Sequence, residues 1–318
     1  MTRRPGRWGP FVLELREAHR RGDIGALRAI HARGMGDPFL GPALRLLDRF
    51  YPVKALLDII AQLDPLIARD GLASASRWLL DTAVTNWTSE LPPSTREILA
   101  SEPSLIYGNH PSMLTAFLVA AHMDRPDLRI LSVSFMPRLL PSYAAYALPI
   151  ELPLDRGWAQ FRRGGLQRIV VTWLINLLQD VVPRERAREA NRRALTIATE
   201  HIRGGGCALI APSGGSIRDR DWHPGIGHIV KSLAQQPGER QAFLVPFQEL
   251  HSSDDRVRAV LERGPVARLK RRIAYRRPVT IRFAEPTPIS DLGAVPENVA
   301  DLVRVLRRNY DALFPPRR

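Results

Sequence analysis

Cysteine is almost missing from this chain of 318 residues. Its one thiol, Cys207, cannot form a disulfide within the chain, which fits a reducing compartment. Cys207 lies in the apolar run "CALIAP" and reads as a small buried side chain, not as a reactive one. Lysine is nearly as scarce. The excess of 46 basic over 32 acidic residues, a formal charge of +14, is therefore almost all arginine. Such a surface suits an anionic partner: nucleic acid, anionic lipid, a phosphorylated substrate or an acidic carrier protein.

Long apolar runs are also lacking. The best of them, "IVVTWLINLL" at 169–178, is too short to span a bilayer and contains Asn176. At the N-terminus, Glu14, Arg16 and Glu17 break up what would have to be the apolar stretch of a signal peptide. These absences predict a cytoplasmic protein that at most touches membrane peripherally. No Gly-Lys-Ser/Thr follows a glycine-rich loop, so a nucleotide P-loop is excluded, and "PSGG" lacks the glycine–serine–glycine elbow of a serine hydrolase. His223, His228 and His251 have no metal-ligand spacing, and no metal or cofactor is expected. The basic run "ARLKRRIAYRR" at 267–277 offers a single tyrosine for base stacking and reads as a solvated face, so nucleic acid is not the expected partner.

With 45% hydrophobic residues, the chain has ample material for a core. Over residues 10–90 apolar side chains recur at three and four, which predicts successive helices with Asp23 as a cap and Gly34 as a stop. The polar, proline-containing stretch 88–97 reads as a boundary and divides the chain into a helical bundle (1–92) and an α/β domain (93–318). In the second part short apolar strands, at 104–108, 129–135, 148–152, 207–212, 242–247 and 279–285, alternate with helices at 112–124, 165–180, 185–203, 226–236, 254–262 and 295–313. This alternation predicts a mixed sheet covered by helices, with functional groups where strands end and helices begin.

Two such junctions carry chemistry. In "IYGNHPSMLT" (106–115), His110 follows a strand, and Pro111 and Ser112 suit a first helical turn and its cap. The positive end of a helix there would favour neutral imidazole, a general base near neutral pH. A histidine at such a turn can equally serve only to satisfy backbone groups. In "CALIAPSGGSIRDRDWHPG" (207–225), a strand runs into Ser213-Gly214-Gly215 and then Arg218-Asp219-Arg220. Paired glycines expose backbone N–H groups to an anion, and the arginines can add charge-assisted bonds to phosphate. A solvated loop with an internal Arg–Asp pair is the alternative.

Taken together, the two stretches resemble the glycerolipid acyltransferases, defined by an Asn-His-x-x-x-x-Asp block and a later Pro-Glu-Gly-type block. Asn109-His110 matches the first. "APSGGSIRDR" is similar to the Ala-Pro-Ser-Gly-Gly-Arg-Asp-Arg run of the soluble plastid-type glycerol-3-phosphate acyltransferases, with Ser216-Ile217 inserted. That subgroup also carries a helical bundle ahead of an α/β catalytic domain. "LPIELPLDRG" (148–157) is similar to the family's second block, which makes Arg156 a phosphate ligand by resemblance, and "AFLVPFQEL" (242–250) stands where the family has a strand near its acyl tunnel.

The resemblance implies transfer of a fatty acyl group from an acyl carrier protein or coenzyme A thioester to glycerol 3-phosphate or a lysophosphatidate, in phospholipid synthesis, without a covalent acyl-enzyme. His110 would be the base. Backbone N–H groups near Gly214 and Gly215 would stabilise the oxyanion, and Ser213, Gly214, Gly215, Arg156, Arg218 and Arg220 would bind substrate phosphate. Expected partners are the acidic thioester carrier, the glycerol phosphate and an anionic membrane surface. The sequence departs from the family at Thr115, where an aspartate should orient the imidazole and stabilise its charged form. Three readings follow: a slow enzyme, an enzyme that recruits Asp219, Asp221 or Glu249 instead, or a homologue that binds acyl or phosphate ligands as carrier, sensor or scaffold.

Overall fold

Capping and periodicity act locally, and the helices they predict are present. The computed structural model describes residues 8–50, 52–151, 182–214, 222–261 and 276–315. Asp23 accepts a 2.8 Å hydrogen bond from the Ala26 N–H and caps α2 (Ile24–Gly36), which packs on α1 (Trp8–Arg20) and α3 (Gly41–Phe50). Gly34 does not stop α2. It sits against Phe11 and Leu44, where a Cβ would fall 2.6 and 2.7 Å from their side chains, so its smallness serves packing. Within the stretch expected to form successive helices, one long helix runs as α4 (Val53–Leu79), kinked at Gly71, whose φ of 79° is left-handed territory that glycine tolerates.

Trp87–Glu90, expected at the close of the helical part, instead forms β1, an edge strand parallel to β7 (Val279–Phe283). "WTSE" has no apolar alternation, so its conformation comes from its partner. Then follow α5 (Pro93–Ser101), β2 (Ser104–Gly108), α6 (Thr115–Ala120), β3 (Leu128–Val133), α7 (Phe135–Leu139) and β4 (Ala147–Ile150). After them come α8 (Arg184–Arg203), β5 (Cys207–Ile210), α9 (Gly225–Gln235), β6 (Phe243–Leu250) and α10 (Ser253–Leu261). The short β8 (Thr287–Pro288) and α11 (Val299–Leu313) complete the described chain. The helix expected at 165–180 lies outside the described residues.

The fold is α/β, with a mixed sheet of eight strands among the described residues. Its order is β1-β7-β6-β2-β5-β3-β4, and β8 also pairs with β6. β2 is central and parallel to both neighbours, β5 and β6; β7 turns antiparallel against β6. Strand alternation feeds two cores. Leu105, Tyr107, Ala208 and Ile210 face α8, α9 and α11, whereas Ile106, Leu209, Val245 and Phe247 face α4 and α6. Ile59, Leu63 and Ile67 of α4 belong to that second core, so the N-terminal helices and the sheet share apolar packing across residue 92. No helix among the described residues is long and apolar enough to cross a membrane.

β2 ends at Gly108 because β6 comes too close for a side chain. A Cβ there would lie 2.1 Å from the Phe247 carbonyl oxygen and 2.9 Å from its ring. Backbone cannot swing aside as a side-chain tip can, so Gly108→Ala is expected to destabilise the fold by about 2–3 kcal/mol, as overpacking does. Chemical denaturation checks this; an unchanged midpoint would mean the two strands separate freely at this point.

Candidate active site

β5, β2 and β6 run side by side in parallel, so their carboxyl ends open at one edge of the sheet. Tyr107 is in register with Ile210, and Gly108 with Phe247. His110 lies just past the end of β2, Ser213 just past the end of β5 and Glu249 near the end of β6, so all three stand at that edge. Residues from three distant stretches thus meet at one rim.

Asn109 continues the β2–β6 ladder with its side chain. Its Nδ2 donates to the Glu249 carbonyl at 2.8 Å, and its Oδ1 accepts from the Glu249 N–H at 2.7 Å, as a peptide unit would. Its own N–H donates to the Tyr310 hydroxyl at 3.2 Å, and that hydroxyl donates to the Phe247 carbonyl at 3.0 Å. A C-terminal helix therefore braces the strand end that presents the histidine.

His110 is half-buried, and its Nδ1 is sealed from solvent with no hydrogen-bond partner among the described residues. Burial pushes its pKa down to about 4, so the imidazole is neutral at physiological pH. The neutral form is favoured as expected, but by burial and not by a helix end, and the ring is a weaker base than a free imidazole. α6 begins only at Thr115 and is six residues long, and Ser112 does not cap it.

The Ser112 hydroxyl lies 2.7 and 2.9 Å from the two carboxyl oxygens of Glu249. Thr115 bonds the same carboxyl through its hydroxyl, and the Ser253 N–H donates to it at 2.9 Å. The Ser253 hydroxyl joins Ser112. Glu249 is 2% exposed, and burial raises its pKa against the pull of the Thr115, Ser112 and Ser253 hydrogen bonds. Hydroxyls both donate and accept, so this network is satisfied with the carboxyl ionised or neutral. Of the three carboxylates considered as replacements for the aspartate, Glu249 is the one that reaches Thr115; Asp219 and Asp221 lie outside the described residues. It bonds Thr115 and not the His110 Nδ1, which has no partner among the described residues.

On the β5 side, Ser213 is 1% exposed and its Oγ has no partner among the described residues. Gly214 takes φ 56°, with the His223 ring 3.1 Å from where its Cβ would stand. Its N–H donates to the Ala211 carbonyl at 3.0 Å, which corrects the expectation that it points at an oxyanion. Gly215, Arg218, Arg220 and Arg156 lie outside the described residues. Next to this loop, Trp222 packs edge-on to Tyr107 and Tyr310, under the Arg307 guanidinium at 5.3 Å, and its Nε1 is buried without a partner among the described residues. Tyr310, Ser253, Asp254 and Trp222 were not legible as site residues. "HSSDD" reads as an ordinary helix start, and Tyr310 as one apolar position of an amphipathic helix.

A second histidine is buried in the same way. His122, edge-on to Trp87 and Phe283, is pushed down to about 4, mainly by burial and further by Arg77 and Arg96. The unfolded chain takes up these protons near pH 6.5, and the folded chain resists them until about 4. Between those values the unfolded state binds more protons at these two rings, which lowers stability as pH drops through this window, against Glu249, whose raised pKa favours the folded state as pH falls. Melting temperatures of His122→Phe beside the unaltered protein, measured from pH 7 to 4, test this; an identical pH dependence in both would show that His122 does not resist protonation in the folded state.

No family model matches this chain, and no curated protein does.

Proposed function

We propose that the protein transfers a fatty acyl group from an acyl carrier protein or coenzyme A thioester to a glycerol phosphate, with His110 as general base. One observation carries this reading: a neutral histidine and a buried serine hydroxyl, that of Ser213, stand past the carboxyl ends of adjacent parallel strands, within two blocks that resemble glycerolipid acyltransferases.

His110 removes the proton from the acceptor hydroxyl as its oxygen attacks the thioester carbonyl. The tetrahedral intermediate collapses, the C–S bond breaks, and the imidazolium returns its proton to the leaving thiolate. Ser213 is the donor on hand for the oxyanion, since the Gly214 N–H is committed. Arg156, Arg218 and Arg220 are assigned to the substrate phosphate by resemblance. The arginine-rich surface suits an acidic carrier and an anionic membrane at which the lipid product is released.

A second reading has one observation in its favour. With no carboxylate on the His110 Nδ1 among the described residues, the site could bind ligand without turnover, as a carrier or sensor. Acyl transfer from both thioesters to a panel of glycerol phosphates, with His110→Ala beside the unaltered protein, decides between the two. Transfer that requires His110 supports the enzyme. Equal transfer in both removes His110 as base, and binding without turnover establishes the carrier.

A further inference from the structure

The turn that carries His110 is tethered three times, each time to the junction of β6 and α10. Asn109, before the histidine, exchanges two hydrogen bonds with the Glu249 backbone. Ser112 and Thr115, after it, both bond the Glu249 carboxyl. The Met113 N–H donates to Asp254 Oδ1 at 2.9 Å. His110 stands between the first tether and the second, and both end on one residue.

A carboxyl is a costly group to bury, and an apolar side chain of similar size would pack here at less expense. What the carboxyl supplies is direction: two oxygens that take hydroxyls from both ends of the turn leading into α6 and an N–H from the helix behind. The loop then has one backbone course past the end of β2, and the imidazole has one place to stand.

Building on the acyl-transfer reading, we propose that Glu249 is the positioning residue for His110, acting through Asn109, Ser112 and Thr115. It touches neither the ring nor the reacting atoms. Its length and shape matter to the site, and its charge does not.

The test compares Glu249→Asp and Glu249→Gln with the unaltered full-length protein. Turnover is read with an acyl thioester and a glycerol phosphate, and the His110 ring by NMR, its resonances assigned by their loss in His110→Ala. Glu249→Asp pulls the carboxyl back by one methylene. A base displaced by about 1 Å costs about 10²-fold, so kcat is expected to fall by that factor with KM unchanged, and the His110 resonances are expected to shift or broaden. Glu249→Gln keeps the length and an acceptor for the Ser253 N–H, while the hydroxyls can turn to accept from its amide. It is expected to recover most of the kcat lost in Glu249→Asp.

Should Glu249→Asp fail to fold, the Ser112→Ala/Thr115→Val pair frees the loop from the other side and is read in the same way. The proposal is overturned if Glu249→Asp leaves kcat and the His110 resonances unaltered. It is equally overturned if kcat, KM and melting temperature fall together with the resonances unmoved, or if Glu249→Gln is as slow as Glu249→Asp. Turnover indifferent to His110→Ala would defeat the acyl-transfer reading instead. The ring spectrum needs no turnover and still decides whether Glu249 holds the histidine.

Discussion

His110→Ala is expected to slow acyl transfer by about 10²–10⁴-fold, the usual worth of a positioned general base, and to leave the fold intact. The second half of this expectation is what separates a catalytic histidine from a structural one. An imidazole nitrogen sealed from solvent, as the His110 Nδ1 is with no partner among the described residues, costs the folded state about 1–3 kcal/mol. Alanine removes that cost and loses some ring packing, so the two changes offset. The tethers of the turn run through Asn109, Ser112, Met113 and Thr115, none of which alanine at 110 disturbs. Melting temperature and kcat should be measured on the same preparation. A loss of activity that only follows a loss of folded protein would make His110 a structural residue.

Thr115→Asp is expected to harm the protein, although it restores the carboxylate that the resemblance requires. On sequence alone this substitution should raise the rate if the site is a degraded dyad, and no gain would point to a replacement carboxylate or to chemistry that needs none. In the structure the Thr115 hydroxyl already faces the Glu249 carboxyl inside the core, at 2% exposure for each residue. An aspartate would set two carboxyls against each other, and one would have to stay protonated. The cost is on the order of 3 kcal/mol, which lowers the melting temperature of a chain this size by about 5 °C. No gain in kcat is expected. Adding Glu249→Gln leaves a single ionisable carboxyl and should recover more than half of the lost stability. The double-mutant cycle then shows a coupling of at least about 1 kcal/mol. A single Thr115→Asp variant that is faster than the parent and equally stable would show that the two side chains do not meet.

The two predictions rest on different kinds of information. The chain sequence decides, by neighbours a few positions apart, that Asp23 caps α2, that Ser104–Gly108 and Cys207–Ile210 are strands, and that an imidazole and a serine follow them directly. Caps, periodicities and strand runs are short-range physics, and they locate the α/β fold and place His110 and Ser213 at strand ends. They do not say which strands lie side by side. Trp87–Glu90 is a strand only because Val279–Arg282 lies alongside it, and Gly108 is required only because Phe247 approaches from β6.

The group facing Thr115 depends on the same long-range pairing. Glu249 is 134 positions further along the chain, and it reaches the loop because β6 docks beside β2 in one register. From sequence, Glu249 was one of three equivalent carboxylates, and Ser112 was a helix cap. Sheet order and burial turned both to a different use: a carboxyl that leaves water must find every hydrogen bond it needs from whatever the fold brings within reach, and here that is the loop on either side of His110.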